Sequence, residues 1–125
     1  MTMLTNGYVG IGTTTPSYTL DVNGDIRASK IYVKRTLSAE EIIVKTMGAD
    51  FVFADDYQLL PLSEVEAFIT ENKHLPEIQS AKEMQENGVS VSELQTKLLQ
   101  KIEELTLYLI QQENRIKELE EKLNQ

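Results

Sequence analysis

From Val91 to Leu123 the chain keeps one unbroken heptad register, and that register constrains the fold more than anything else in it. With Ile102 as an a position, the a residues are Gln95, Ile102, Leu109, Ile116 and Leu123. The d residues are Val91, Leu98, Leu105, Gln112 and Leu119, and only the two glutamines interrupt the apolar seam. A 3-4 alternation kept over this span predicts a left-handed coiled coil. The helix would be about 50 Å long at 1.5 Å per residue. On a lone helix such a seam would be an adhesive stripe, so other copies of the chain are expected to cover it. The rest of the sequence then reads as a module carried on an oligomerising helix.

The remainder has few aromatics, no Trp and no Cys. It makes a thin core, so stability through assembly is expected. Without Cys, disulfides and thiolate metal sites are excluded, and the redox compartment cannot be read. No apolar run reaches membrane-spanning length, and no signal-peptide pattern opens the chain. Thr2 to Thr5 reads like the interior of a strand, so a longer protein preceding residue 1 is expected. The net charge of −8 is uneven: residues 1–60 hold five basic and seven acidic groups, residues 61–125 seven and thirteen. That balance argues against nucleic acid and anionic membrane surfaces as partners.

Residues 1–60 read as β structure and turns. Asn6-Gly7 is a turn signal, and Tyr8 to Gly12 sets Val9 and Ile11 on one face against glycines on the other. Glycine weakens an isolated strand, so the pattern suggests close approach of another backbone, as around the axis of a multichain β structure. Tyr18, Leu20 and Val22 alternate with polar residues. Asn23-Gly24 then predicts a type I′ hairpin turn, with Ile26 and Ala28 on the return strand. Ile31 to Val33 and Ile42 to Val44 are short β-branched runs. Met47 to Asp50 reads as a turn before Phe51-Val52-Phe53, and Tyr57, Leu59 and Leu60 as a further extended piece.

Residues 61–90 change period. Capping boxes at Ser63–Glu66, Ser80–Glu83 and Ser90–Glu93 predict three helix starts, and Asn87-Gly88 a stop. Residues 91–125 form the long helix. Before Ile110 it carries extra apolar residues beside the seam: Leu94, Leu99, Leu107, Tyr108 and Ile110. Beyond it the off-seam residues are charged or amide. The front half is therefore expected to pack on the short helices and strands, with the back half bare. Arg115 at g and Glu120 at e face each other across parallel, in-register neighbours and attract, which favours that arrangement over the antiparallel one. Whether two or three strands assemble is left open by the heptads.

Two stretches resemble a known family. Gly7 to Pro16, followed by Leu20 to Ile26, resembles an element near the C-terminal ends of phage tail fibres and related bacterial surface fibre proteins. There it often precedes an endosialidase-type intramolecular chaperone domain. Ala49 to Phe53, Tyr57, Leu59, Leu62 to Glu66, His74 to Pro76 and Lys101 to Tyr108 resemble the C-terminal tip of many such proteins. The resemblance covers nearly the whole chain and implies a homotrimer whose tip acts as a trimerisation foldon. It does not extend to self-cleavage: the Ser-Asp-x-Arg-x-Lys pattern is missing, since Asp25 to Lys30 has those letters in another order. Glu77 also stands where Gly usually follows His-Leu-Pro.

Sites for chemistry are sparse. His74 is the only histidine and reads as a loop or interface residue. Gly10-Ile11-Gly12 lacks the third glycine of a dinucleotide loop. Asp21 to Asp25 misplaces the glycine of a calcium loop. Asp50, Asp55 and Asp56 read as a solvated turn, although a metal or a glycosidase pair would use such carboxylates. Lys30, Lys34 and Arg35 read as the solvent face of a strand, and Tyr8, Tyr18 and Tyr32 as packing residues. No catalytic, cofactor or metal residue is assigned. The expected fold is α+β and elongated: a β-rich N-terminal half, two short helices and a long helix in a parallel homotrimeric coiled coil. The expected function is a non-enzymatic structural module that registers three chains at the end of a virion, phage-like or cell-surface fibre. A dimer is the runner-up, and the alternatives are a self-processing chaperone or a tip that binds a receptor or glycan.

Overall fold

Backbone hydrogen bonding divides the chain into ladders that close on themselves and a stretch that bonds to nothing within the chain. The computed structural model describes all 125 residues, with one three-stranded sheet and three α-helices. The chain separates after Glu40 into two compact units. Residues 41–60, grouped with the strands on sequence grounds, therefore belong with the helices.

In the first unit β1 (Thr2–Met3) pairs antiparallel with β2 (Val9–Ile11) through the Asn6-Gly7 turn. Asn6 Oδ1 accepts from the Tyr8 amide at 3.0 Å, and Gly7 takes φ 88°. β3 (Leu20–Val22) joins the other edge of β2 in parallel. This corrects the expected hairpin at Asn23-Gly24. The Asn23 amide bonds back to the Ile11 carbonyl at 2.8 Å, and of the two turn residues only Gly24 has positive φ. A type I′ turn needs both. The alternating glycines also have a nearer cause than a multichain axis. A Cβ on Gly10 would strike the Thr13 carbonyl, and one on Gly12 would stand 2.5 Å from the Asn23 carbonyl oxygen. The backbone that approaches is the chain's own.

Residues 24–48 make no backbone–backbone hydrogen bond. The expected strands at Ile31–Val33 and Ile42–Val44 are accordingly not formed, because the single chain offers them no ladder partner. Most of their apolar side chains stand exposed, with Ile43 83 % accessible.

In the second unit Asp50–Phe53 is a 3-10 turn instead of the expected strand. The turn drives Val52 inward to 1 % exposure and leaves Phe51 and Phe53 half-exposed. Three helices follow: α1 (Leu62–Asn72), α2 (Ala81–Asn87) and α3 (Val91–Leu123). Ser80 and Ser90 cap α2 and α3, accepting from the Glu83 and Glu93 amides at 3.2 and 3.4 Å. The box expected at Ser63 does not form. Pro61 occupies the cap position with no side-chain bond, its fixed φ setting up the first turn. Gly88, at φ 71°, ends α2 as the sequence indicates. No helix is long and apolar enough to cross a membrane.

Candidate assembly interface

α3 has two faces, and the single chain covers only one. Buried or half-buried residues lie at b, c, f and g: Gln100, Glu103, Glu104, Leu107 and Tyr108 among them. All ten seam residues, Val91, Gln95, Leu98, Ile102, Leu105, Leu109, Gln112, Ile116, Leu119 and Leu123, are exposed. Ile102 is 58 % and Leu109 65 % accessible. Beyond Leu109 every residue is exposed, which matches the expected bare back half. What covers the front half differs from expectation. The closest packing is with the 3-10 turn, while α1 stands off and leaves a groove.

A polar clasp fastens the segment after that turn to α3. The Tyr57 hydroxyl donates to the Glu104 carboxylate, and Gln100 Nε2 donates to the Tyr57 oxygen at 3.2 Å and to Glu77 Oε2 at 3.1 Å. Lys101 Nζ closes the ring at 3.0 Å from Glu104 and 3.6 Å from Glu77. Further along, the Tyr108 hydroxyl donates to the Leu60 carbonyl at 2.6 Å. Burial and the bond to Glu104 push the Tyr57 phenol up to about 12. Burial also works against the Glu104 carboxylate, but its bonds from Tyr57 and Lys101 outweigh that and hold it below the usual range. Sequence reasoning missed this clasp, because an amide and two charges at c, f and g look like any solvated helix face.

Glu77 has φ 66°, a left-handed conformation that favours glycine. Here a side chain holds it at a cost of about 1–2 kcal/mol, offset by its contacts to Gln100 and Lys101. Glu103 is less well served. It is 7 % exposed, its Oε2 has no partner, and burial with the nearby Asp50 carboxylate pushes its own carboxyl up.

The other singled-out residues have local roles. His74 Nδ1 donates to the Leu75 carbonyl at 2.9 Å, and its ring meets Phe68 edge-on at 5.4 Å. Asp21 Oδ2 accepts from the Ser17 amide, and Asn23 Nδ2 donates to the Gly12 carbonyl. Lys30 sits over the ring of Tyr32 at 4.8 Å. Asp50, Asp55 and Asp56 are exposed, and no three His, Cys, Asp or Glu side chains converge on one point. The structure therefore leaves one extended apolar surface along the seam of α3. Comparison with protein-family models, curated proteins and solved structures returned no match.

Proposed function

We propose that this chain is a structural fibre-end module that assembles as a parallel homotrimer, with α3 as the device that collects and registers the copies. One observation carries the reading: the bare a/d stripe of α3 runs its full length on the side opposite the covered face. A surface of this size and regularity suits a second and third copy of itself.

Two further features support it. Below Leu109 the g edge of the stripe is basic, with Arg115 and Lys122, and the e edge is acidic, with Glu113 and Glu120. Parallel neighbours bring g against e and attract; antiparallel neighbours would bring like charges together. Residues 24–48 also carry β-branched side chains on a backbone that lacks any internal partner. Such a segment is suited to pair between chains once α3 has brought them together. The resemblance to tail-fibre and surface-fibre tips is the ground for proposing three copies over two, and a virion, phage-like particle or cell surface as the location.

The test is Leu105→Gln with Leu109→Gln. Sedimentation of the parent should give the mass of three chains. The double variant should lose the oligomer and, with it, the β signal in circular dichroism. A folded, monodisperse monomer would refute the proposal.

A further inference from the structure

Beside the seam, α1 and α3 enclose an apolar groove of about 210 Å³. Leu60, Leu62, Val65 and Ile69 form one wall, and Leu105 and Tyr108 the other. Leu60, Leu62 and Ile69 are each two-fifths exposed or more, so nothing in the single chain fills the space between them. Leu105 is both a seam residue and a groove residue, so the groove is continuous with the proposed assembly surface.

Helical geometry determines what stands opposite. Around an α-helix the positions leave the seam as d, g, c on one side and as a, e, b on the other. The groove occupies the first side, with Leu105 at d, Lys101 and Tyr108 at g, and Glu104 at c. On the second side, at the same height, stand Thr106 at e and Ile110 at b. Ile110 is 52 % exposed, the one apolar off-seam residue beyond Tyr108 along the helix. The Thr106 hydroxyl is turned back onto the Ile102 carbonyl at 2.9 Å, which leaves its methyl as the outward group. In a closed parallel ring the d/g side of each helix meets the a/e side of the next. The attraction between Arg115 and Glu120 of adjacent copies selects zero axial shift, the register that brings Ile110 to the Tyr108 end of the groove.

We infer that this groove receives Ile110 of the neighbouring copy, with Thr106 beside it. The inference rests on the parallel assembly proposed above. It adds that α1 is a clamp on the next chain, so that each chain both offers an anchor and holds one. The contact repeats around the axis, so every groove is filled once the assembly closes.

The chain has no cysteine, so introduced thiols report cleanly. Leu62→Cys with Ile110→Cys, treated with a short bismaleimide, should give covalent dimers and trimers on a denaturing gel. Neither single variant should do so. Leu119→Cys, on the seam, reports the parallel assembly alone. If Leu119→Cys cross-links and the double variant does not, the groove inference fails and the assembly stands. If neither cross-links, both fail. A second variant reads the contact without chemistry. At a lone exposed helix position Ile110→Gln should be neutral or mildly favourable, because Gln has the better helix propensity. Seated in a groove, it should lower the thermal midpoint by several degrees, with Gln111→Ala as the unaffected control. An unchanged or raised midpoint for Ile110→Gln overturns the inference.

Discussion

Two adjacent carboxylates on α3 show how differently one helix can treat the same group. Glu104 faces Tyr57, Gln100 and Lys101, and those bonds hold its ionised form. Glu103, one residue earlier, is buried with its Oε2 unpartnered, and burial together with the neighbouring Asp50 carboxylate favours its protonated form. Their contributions to stability have opposite signs. A depressed carboxyl pKa gives stability that is present above the unfolded value and lost as pH falls through the folded one. A raised carboxyl pKa does the reverse: stability falls as pH rises from the unfolded value through the folded one. Glu104→Gln should therefore lower the denaturation midpoint at pH 7, with the deficit closing as pH drops below the usual carboxylate range. Glu103→Gln should raise the midpoint at pH 7 and should lose that advantage in mild acid. Urea titrations from pH 3 to 8 on the two variants would show diverging curves, and parallel curves would count against this account. Neither behaviour was legible in the sequence, where both residues sit in the same charged run, Glu103-Glu104. The distinction comes from which loop happens to cross above them.

At the scale of elements, legibility follows locality. The bounds of α2 and α3 could be read because their signals are short-range: a serine cap, a glutamate three residues on, a glycine or a heptad. The first capping box failed because Pro61 presets the same turn two residues earlier. The strands were harder, since a strand is defined by its partner. Leu20–Val22 found one in parallel across β2, while Ile31–Val33 and Ile42–Val44 found none within the chain. The parallel pairing depends on Gly12, whose φ of 74° and closeness to the Asn23 carbonyl leave no room for a side chain. Gly12→Ala should cost the first unit ~2 kcal/mol or more, combining left-handed strain with displacement of the Asn23 backbone. Gly7→Ala, at φ 88° with nothing within 4 Å, should cost only the strain. Amide exchange at Val9 and Asn23 would compare them, and equal protection in both variants would contradict the ranking.

The whole molecule buries very little. Apart from Gly10 and two prolines, Pro16 and Pro76, only Ala49, Val52 and Tyr108 among its apolar residues are buried, and hydrogen bonds at Tyr57 and Leu60 help tie residues 50–60 to α3. A core of this size does not offset the chain entropy of more than a hundred residues. The thermal midpoint should therefore climb with protein concentration, as assembly and folding become one equilibrium. Scans across a hundredfold range of concentration would reveal it, and a constant midpoint would refute the coupling. The composition foreshadowed the thin core, but not that its few members would sit on the face of α3 turned away from the seam. That placement has a consequence for synthesis. Tyr57 and Leu60 are made before Gln100, Glu104 and Tyr108, to which they bond. At about 5–20 residues per second, ribosomes leave these residues waiting several seconds for their partners to emerge. During that interval the β-branched segments at residues 31–44 lie uncovered beside those of neighbouring nascent chains. If copies assemble as proposed, these exposed segments are where misassembly between nascent chains would begin.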